Sequence, residues 1–364
     1  MRVPYSAAIA ALMLSQPVSS SDQKHLLLEE TASTSSQAGQ VPAYRKELLS
    51  LHRSLIEIES ISGNEHAVGN FLVEYLTDRG YIAQVEFVPP EQSSHDGSSR
   101  FNVLAWPGGS RSPTPRVLVS SHIDVVPPYI PYAISDETPT QDTRISGRGS
   151  VDAKASVAAQ IIALQNLLAS EQVRGDDVML LFVVGEENTG AGMKHFSASL
   201  DEQRPPLKFE AVVFGEPTEN KLACGHKGGL FCQITAKGVA GHSGYPWLGK
   251  SANELIVRAL ARIISTDLGS SDKFGNTTVN IGRLDGGVAP NVIPALCKAD
   301  MAIRVAIGPE VGGQDTIRTR VQDILDSIDP EAIELVCTHG YGVVETDCEV
   351  EGMGHCLLRI RSDT

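Results

Sequence analysis

Four segments of the 364-residue chain carry side chains able to do chemistry together. In Ser121-His122-Ile123-Asp124-Val125 a histidine and an aspartate stand two apart near the end of an apolar, β-branched run. On a strand they share one face, where the carboxylate can orient the imidazole or bind a cation beside it. A buried histidine satisfied by its neighbour would give the same pattern. Asp152, after Gly147-Arg148-Gly149-Ser150-Val151, stands at a strand-to-helix junction, where it could be a ligand or a helix N-cap. Glu186 and Glu187 follow the apolar run ending at Val184, and neighbouring strand residues point in opposite directions. One carboxylate can then face a metal and the other the water activated there, or both can belong to a surface turn. Glu216 closes a further apolar run, Phe209–Phe214, in the same manner. Taken together, one histidine and four more carboxylates at successive strand ends concentrate like charge that divalent cations would neutralise. Zinc accepts both ligand types, and a metal pair can share a carboxylate.

The elements that must position these residues follow from hydrophobic spacing. Residues 44–60 and 65–79 repeat apolar side chains at helical intervals, and Ala153–Ala169 is a long apolar helix. Buried strands are expected at Phe101–Trp106, Arg116–Val126, Asp177–Val184 and Phe209–Phe214. Strands alternating with helices predict an α/β mixed sheet flanked by helices, with ligands at strand ends. From residue 228 to 340 the order becomes strand (Leu230–Ala236), helix (Ala252–Ser265), strands (Thr277–Arg283 and Ala295–Val305), helix (Gly313–Ser327) and strand (Ile333–Cys337). That β-α-β-β-α-β order predicts an inserted α+β domain over 228–340, within a catalytic domain built from 44–227 and 341–364.

Thirty Lys+Arg against 44 Asp+Glu leave a formal charge of −14, with no basic run, which argues against a nucleic-acid or anionic-membrane partner. Met1-Arg2, the apolar run Ala7–Leu14 and the small residues Pro17–Ser20 have the layout of a signal peptide over residues 1–20. The run is too short to span a bilayer, so a secreted, extracellular protein is expected. Residues 21–43, rich in Ser, Thr and Gln, read as a flexible leader. Export would permit disulfides among Cys224, Cys232, Cys297, Cys337, Cys348 and Cys356, in a pairing the spacing leaves open, and would make Asn276-Thr277-Thr278 a glycosylation site.

These motifs, in this order, resemble the two-zinc exopeptidases and deacylases that include glutamate carboxypeptidase, aminoacylase, acetylornithine deacetylase and succinyl-diaminopimelate desuccinylase, over roughly residues 44–350. The resemblance implies two Zn2+ per chain, with cobalt or manganese as substitutes. His122 and Glu216 would bind one zinc and Glu187 the other, Asp152 would bridge them, and Asp124 would clamp the His122 ring. It also implies a cis peptide after Asp152 and a general-base role for Glu186. The 228–340 unit would be a lid and dimerisation domain supporting a homodimer. There His242 (Ala240-Gly241-His242-Ser243) would be the oxyanion donor, and Asn291 and Arg304 would hold a substrate carboxylate. The implied activity is carboxypeptidase hydrolysis of a C-terminal peptide bond. N-acyl-amino-acid deacylation is the alternative. The family carries one more ligand histidine on a C-terminal segment; here only His339 and His355 fall near it, so a catalytically impaired member is a further expectation.

Two other motifs fit poorly. Gly244–Ser251 matches a phosphate-binding loop in letters, but Pro246 has no N–H and Tyr245 and Trp247 crowd it. Gly241–Tyr245 lacks the last glycine of a serine-hydrolase elbow around Ser243.

Overall fold

The computed structural model describes residues 41–89, 99–109, 113–140, 142–200, 202, 206–220 and 223–346. The signal peptide, most of the leader, Cys348, His355 and Cys356 lie outside these residues. The chain divides into two compact units, with the second spanning Gly225–Glu345.

In the first unit, α1 (Arg45–Glu57) and α2 (His66–Thr77) precede β1 (Tyr81–Val88) and β2 (Arg100–Pro107). Then come β3 (Val117–His122), α3 (Lys154–Ala169), β4 (Val178–Val183), α4 (Ala191–Ser199) and β5 (Ala211–Gly215). The strands form one sheet in the order β1-β2-β4-β3-β5. β3 runs parallel to both β4 and β5, whereas β1–β2 and β2–β4 are antiparallel, so the sheet is mixed as expected. Strand alternation divides its two faces. Val103, Ala105, Leu180 and Phe182 pack with Leu55, Leu72 and Ile161 from α1, α2 and α3, while Leu104, Trp106, Met179 and Leu181 pack with Phe196 from α4. Sequence reading missed β1, a half-exposed edge strand whose pattern is only partly apolar, and α4, which is short and offers few apolar side chains. It also ran β3 four residues too far. The regular strand stops at His122, and Ile123–Val125 continues as extended chain bonded to Ser60 and Ser62.

The second unit contains β6 (Gly228–Lys237), α5 (Ala252–Ser265), β7 (Thr278–Gly286), β8 (Leu296–Val305), α6 (Gly313–Asp326) and β9 (Ile333–Tyr341). Its sheet is antiparallel in the order β7-β8-β6-β9. Both helices pack on one face, around Ile234, Ile256, Ile263, Ile303 and Ile317. A side-chain N-cap starts α5, with the Ser251 hydroxyl accepting from the Glu254 N–H. That role, together with the Lys250–Asp329 ion pair, accounts for Lys250 and Ser251 without phosphate. No helix among the described residues is long and apolar enough to cross a membrane.

Cys232 and Cys337 face each other across β6 and β9 and form a disulfide, with Cα atoms 4.0 Å apart and a sequence separation of 105. Cys297 is buried and unpaired. Closing a loop of this length restricts the unfolded chain strongly. Replacing both bridged cysteines by alanine is expected to lower the unfolding free energy of this unit by about 2–5 kcal/mol. A denaturation midpoint that stays put in the double variant would count against this.

Candidate active site

Because β4, β3 and β5 are adjacent and parallel, their C-terminal ends open on the same edge of the sheet. His122 is the last residue of β3, Glu186 and Glu187 lie in the turn after β4, and Glu216 follows β5. Asp152 belongs to the loop entering α3. It does not cap that helix: the N-cap position is Ala153, and Asp152 directs Oδ1 to His122 Nε2 at 3.0 Å. The Asp152–Ala153 peptide bond is cis. Glu216 Oε2 lies 3.6 Å and Glu186 Oε2 3.9 Å from the same nitrogen. Ligand atoms of His122, Asp152 and Glu187 fall within 4.8 Å of one another.

The backbone orients the His122 ring: Nδ1–H donates to the Asp124 main-chain carbonyl at 2.9 Å, which turns Nε2 toward the carboxylates. The Asp124 side chain also stands beside the ring, with Oδ1 3.6 Å from Nδ1. The chain turns after His122, and the Asp124 carboxylate accepts the N–H groups of Glu186 (3.0 Å) and Glu187 (3.2 Å) and the Ser62 hydroxyl (2.7 Å). Glu186 and Glu187 do not alternate along a strand. Both residues lie beyond the strand, in a turn whose consecutive amides are held by one carboxylate.

Burial first, and then the carboxylates of Glu216, Asp124 and Glu187, push Glu186 up to about 7 against the pull of His122. Burial and Asp152 do the same for Glu187, also to about 7. Burial likewise raises Glu216. Burial works to lower the His122 pKa, but Asp124, Asp152 and Glu216 outweigh it and raise the value. For Asp124, burial is outweighed by His122, Ser62 and the Glu186 N–H, which hold it low. One imidazole and several carboxylates made reluctant to ionise are the chemistry of an unscreened cation site, and the His/Asp/Glu donor set fits a divalent metal.

Sequence reading missed two residues that hold the Asp152 loop. Lys154, 1% exposed, donates from Nζ to the carbonyls of Leu55 and Ile58, each at 2.8 Å, and so ties the start of α3 to the end of α1. Burial lowers its pKa to about 8. The His52 Nε2–H donates to the Ser150 carbonyl at 3.0 Å. A lysine on the apolar face of α3 was the available signal.

Three expected residues lie in the second unit. His242 pairs with Val292 in a two-residue ladder, and the Ser243 N–H donates to the Asn291 carbonyl at 3.0 Å, so His242 and Asn291 are neighbours. The Gly244 N–H donates to His242 Nδ1 at 3.0 Å, which places the ring proton on Nε2. Arg304 is exposed on the face of β8 opposite the helices, across from Gly229 and Thr278. Asn276 is exposed in a two-residue strand.

Comparison with known proteins agrees with this architecture. Residues 224–332 match the model of the peptidase dimerisation domain, and residues 102–221 match that of peptidase family M28. A peptidase M20 domain-containing protein of Sordaria macrospora is 55% identical, with 85% of this chain and 73% of that protein covered. A probable carboxypeptidase of Aspergillus flavus is 45% identical over 86% of this chain and 75% of its own length. Among solved structures, a tripeptidase from Staphylococcus aureus superposes with a TM-score of 0.63 at 20% identity, covering 84% of this chain and 78% of its own. An M20 family metallo-carboxypeptidase from Sulfolobus solfataricus gives 0.58 at 15% identity, with 84% and 80% covered. At such identities the structures speak to the fold alone. The chain belongs to the M20 peptidase family. It is a hydrolase of the metallopeptidase type, and the His122/Asp152/Glu187 cluster is its candidate site for a divalent metal.

Proposed function

We propose that this protein is a secreted carboxypeptidase that uses two zinc ions and Glu186 to hydrolyse the C-terminal peptide bond of its substrate. The observation carrying this reading is the convergence of His122, Asp152, Glu187 and Glu216 around one point, with Glu186 beside them. His122 and Glu216 would hold one cation and Glu187 the other, with Asp152 between them; cobalt or manganese would fit the same donors. A divalent cation bound there supplies Lewis acidity, which polarises a carbonyl and makes water a better acid.

The protein's own groups do the rest. Glu186, with Oε2 3.9 Å from His122 Nε2 at the edge of the cluster, is placed to take a proton from water and return it to the leaving amine. The proton fixed on His242 Nε2 makes that atom a donor for an oxyanion. Arg304 offers a bidentate grip on a terminal carboxylate, and Asn291 lies next to His242 in the chain's fold. The match to the dimerisation-domain model supports a homodimer through the second unit. Two features support export and exposure of the Asn276 sequon: the signal-like N-terminus and the Cys232–Cys337 bridge, which an oxidising compartment preserves. Names of relatives and export favour peptide substrates over N-acyl amino acids.

The test is metal analysis of the purified chain together with release of C-terminal amino acids from a mixed peptide pool. Two zincs per chain, with release that stops on chelation and returns on adding zinc, is the expected result. Release of free acyl groups from N-acyl amino acids without peptide cleavage would transfer the assignment to a deacylase. A chain that folds without metal and cleaves neither substrate would be an impaired member.

A further inference from the structure

Beneath the catalytic turn lies a buried polar network that the mechanism above does not use. Residues 60–65 are stitched to the segment after β3: the Val125 N–H donates to the Ser60 carbonyl (3.0 Å), the Ser62 N–H to the Val125 carbonyl (3.1 Å), and the Ser60 hydroxyl to the Ile123 carbonyl (2.7 Å). This stitching brings the Ser62 hydroxyl to 2.7 Å from Asp124 Oδ2, the oxygen that also accepts the Glu187 N–H. One residue on, the Gly63 N–H donates to Glu65 Oε1 at 3.0 Å. Glu65, its side chain 0% exposed, is held bidentately by Arg100 through Nε (3.0 Å) and Nη2 (2.7 Å). The Arg100 guanidinium in turn lies against Gly185, the residue before Glu186, so closely that a Cβ there would overlap it. Gly185 has φ +69°, a conformation that also favours glycine.

The loop bearing Ser62 and the turn bearing Glu186 and Glu187 are therefore joined twice: through the Asp124 carboxylate and through the Glu65–Arg100 pair. We propose that Ser62 and the Glu65–Arg100 pair are positioning residues for Glu186 and Glu187, acting through Asp124 and Gly185. Asp124 presents one oxygen to each of two consecutive amides, at 3.0 and 3.2 Å, and any rotation about its Cβ–Cγ bond loosens both contacts. The Ser62 O–H, a charge-assisted donor on a wholly buried acid, stops that rotation. The Glu186 carboxylate then stays aimed at the cluster when substrate and water exchange. Misplacement of a catalytic group by about 1 Å can cost on the order of 10²-fold in rate.

The proposal rests on the functional reading above, and its test separates the two. Ser62→Ala and Ser62→Thr are prepared in the full chain and compared with wild type. Hydrogen–deuterium exchange over residues 184–190, measured on metal-free protein, needs no activity. The alanine variant is expected to speed exchange at the Glu186 and Glu187 amides by ~10-fold or more, with the threonine variant restoring protection. In active enzyme kcat is expected to fall ~10–100-fold in the alanine variant with KM unchanged, the scale typical of groups that orient ligands, and to recover with threonine. Exchange and kcat within twofold of wild type in Ser62→Ala would overturn the positioning role. So would slower turnover that threonine does not rescue. Loosened amides in Ser62→Ala, where the wild-type chain itself hydrolyses nothing, would uphold the network and overturn the functional reading instead. Glu65→Gln, which keeps the acceptor for the Gly63 N–H but removes the charge facing Arg100, is expected to loosen the same amides. Unchanged exchange in that variant would remove the ion pair from the proposal.

Discussion

Glu186→Gln lowers kcat by ~10²–10⁴-fold, the range typical of a positioned general base, and leaves metal per chain unchanged. Glutamine has the shape of glutamate, and the backbone N–H at this position still reaches Asp124, so the turn keeps its geometry. What disappears is a carboxylate that environment has brought to about 7, where it both accepts and releases a proton near neutral pH. Glu187→Gln makes the instructive contrast. It weakens a ligand of the His122/Asp152/Glu187 cluster, so metal content falls together with rate. Steady-state kinetics beside elemental analysis on both variants decide the roles. A Glu186→Gln enzyme retaining more than a few per cent of kcat would assign the base to another group.

Arg100→Met costs about 3–5 kcal/mol of stability, the penalty for leaving a buried ion without its partner. The Glu65 side chain has no exposure and Arg100 is 6% exposed, so water cannot take over the lost bonds. Methionine fills part of the arginine's volume, so the loss is chiefly electrostatic and not a cavity. Replacing both partners by apolar residues of similar size, Glu65→Leu with Arg100→Met, is expected to recover part of the loss, because neither charge then remains buried. Unfolding in denaturant for the single and double variants measures both figures. A single variant within 1 kcal/mol of wild type would show that water reaches Glu65, and the network under Gly185 would lose its rigid base.

The His122 cluster also shows why local motifs underdetermine a site. Asp152 in isolation resembles an N-cap, and the two glutamates resemble a surface turn. Only the folded chain brings them together around His122. The turn reading of Glu186 and Glu187 was in fact correct about backbone conformation, and the alternating-strand reading was not. One Asp124 carboxylate pins their two amides, a contact between residues 62 positions apart or more. Ser62, Glu65 and Arg100 carry no sequence signal of this kind. A serine in a loop, a glutamate before a helix and an arginine opening a strand are ordinary surface residues until the fold buries them.

By itself the amino-acid sequence determined the helices and central strands, the α/β character of the first unit, the β-α-β-β-α-β order of the second and the residue types gathered at strand ends. Each of these depends on periodicity or on neighbours within a few positions, which a linear pattern preserves. The tertiary structure alone decided the strand order β1-β2-β4-β3-β5, the Cys232–Cys337 pairing and the backbone carbonyl that orients His122. It also decided which carboxylates are buried deeply enough to hold protons near neutral pH. Those outcomes depend on desolvation and on contacts between distant segments, energies that exist only once the chain has closed around the groups concerned.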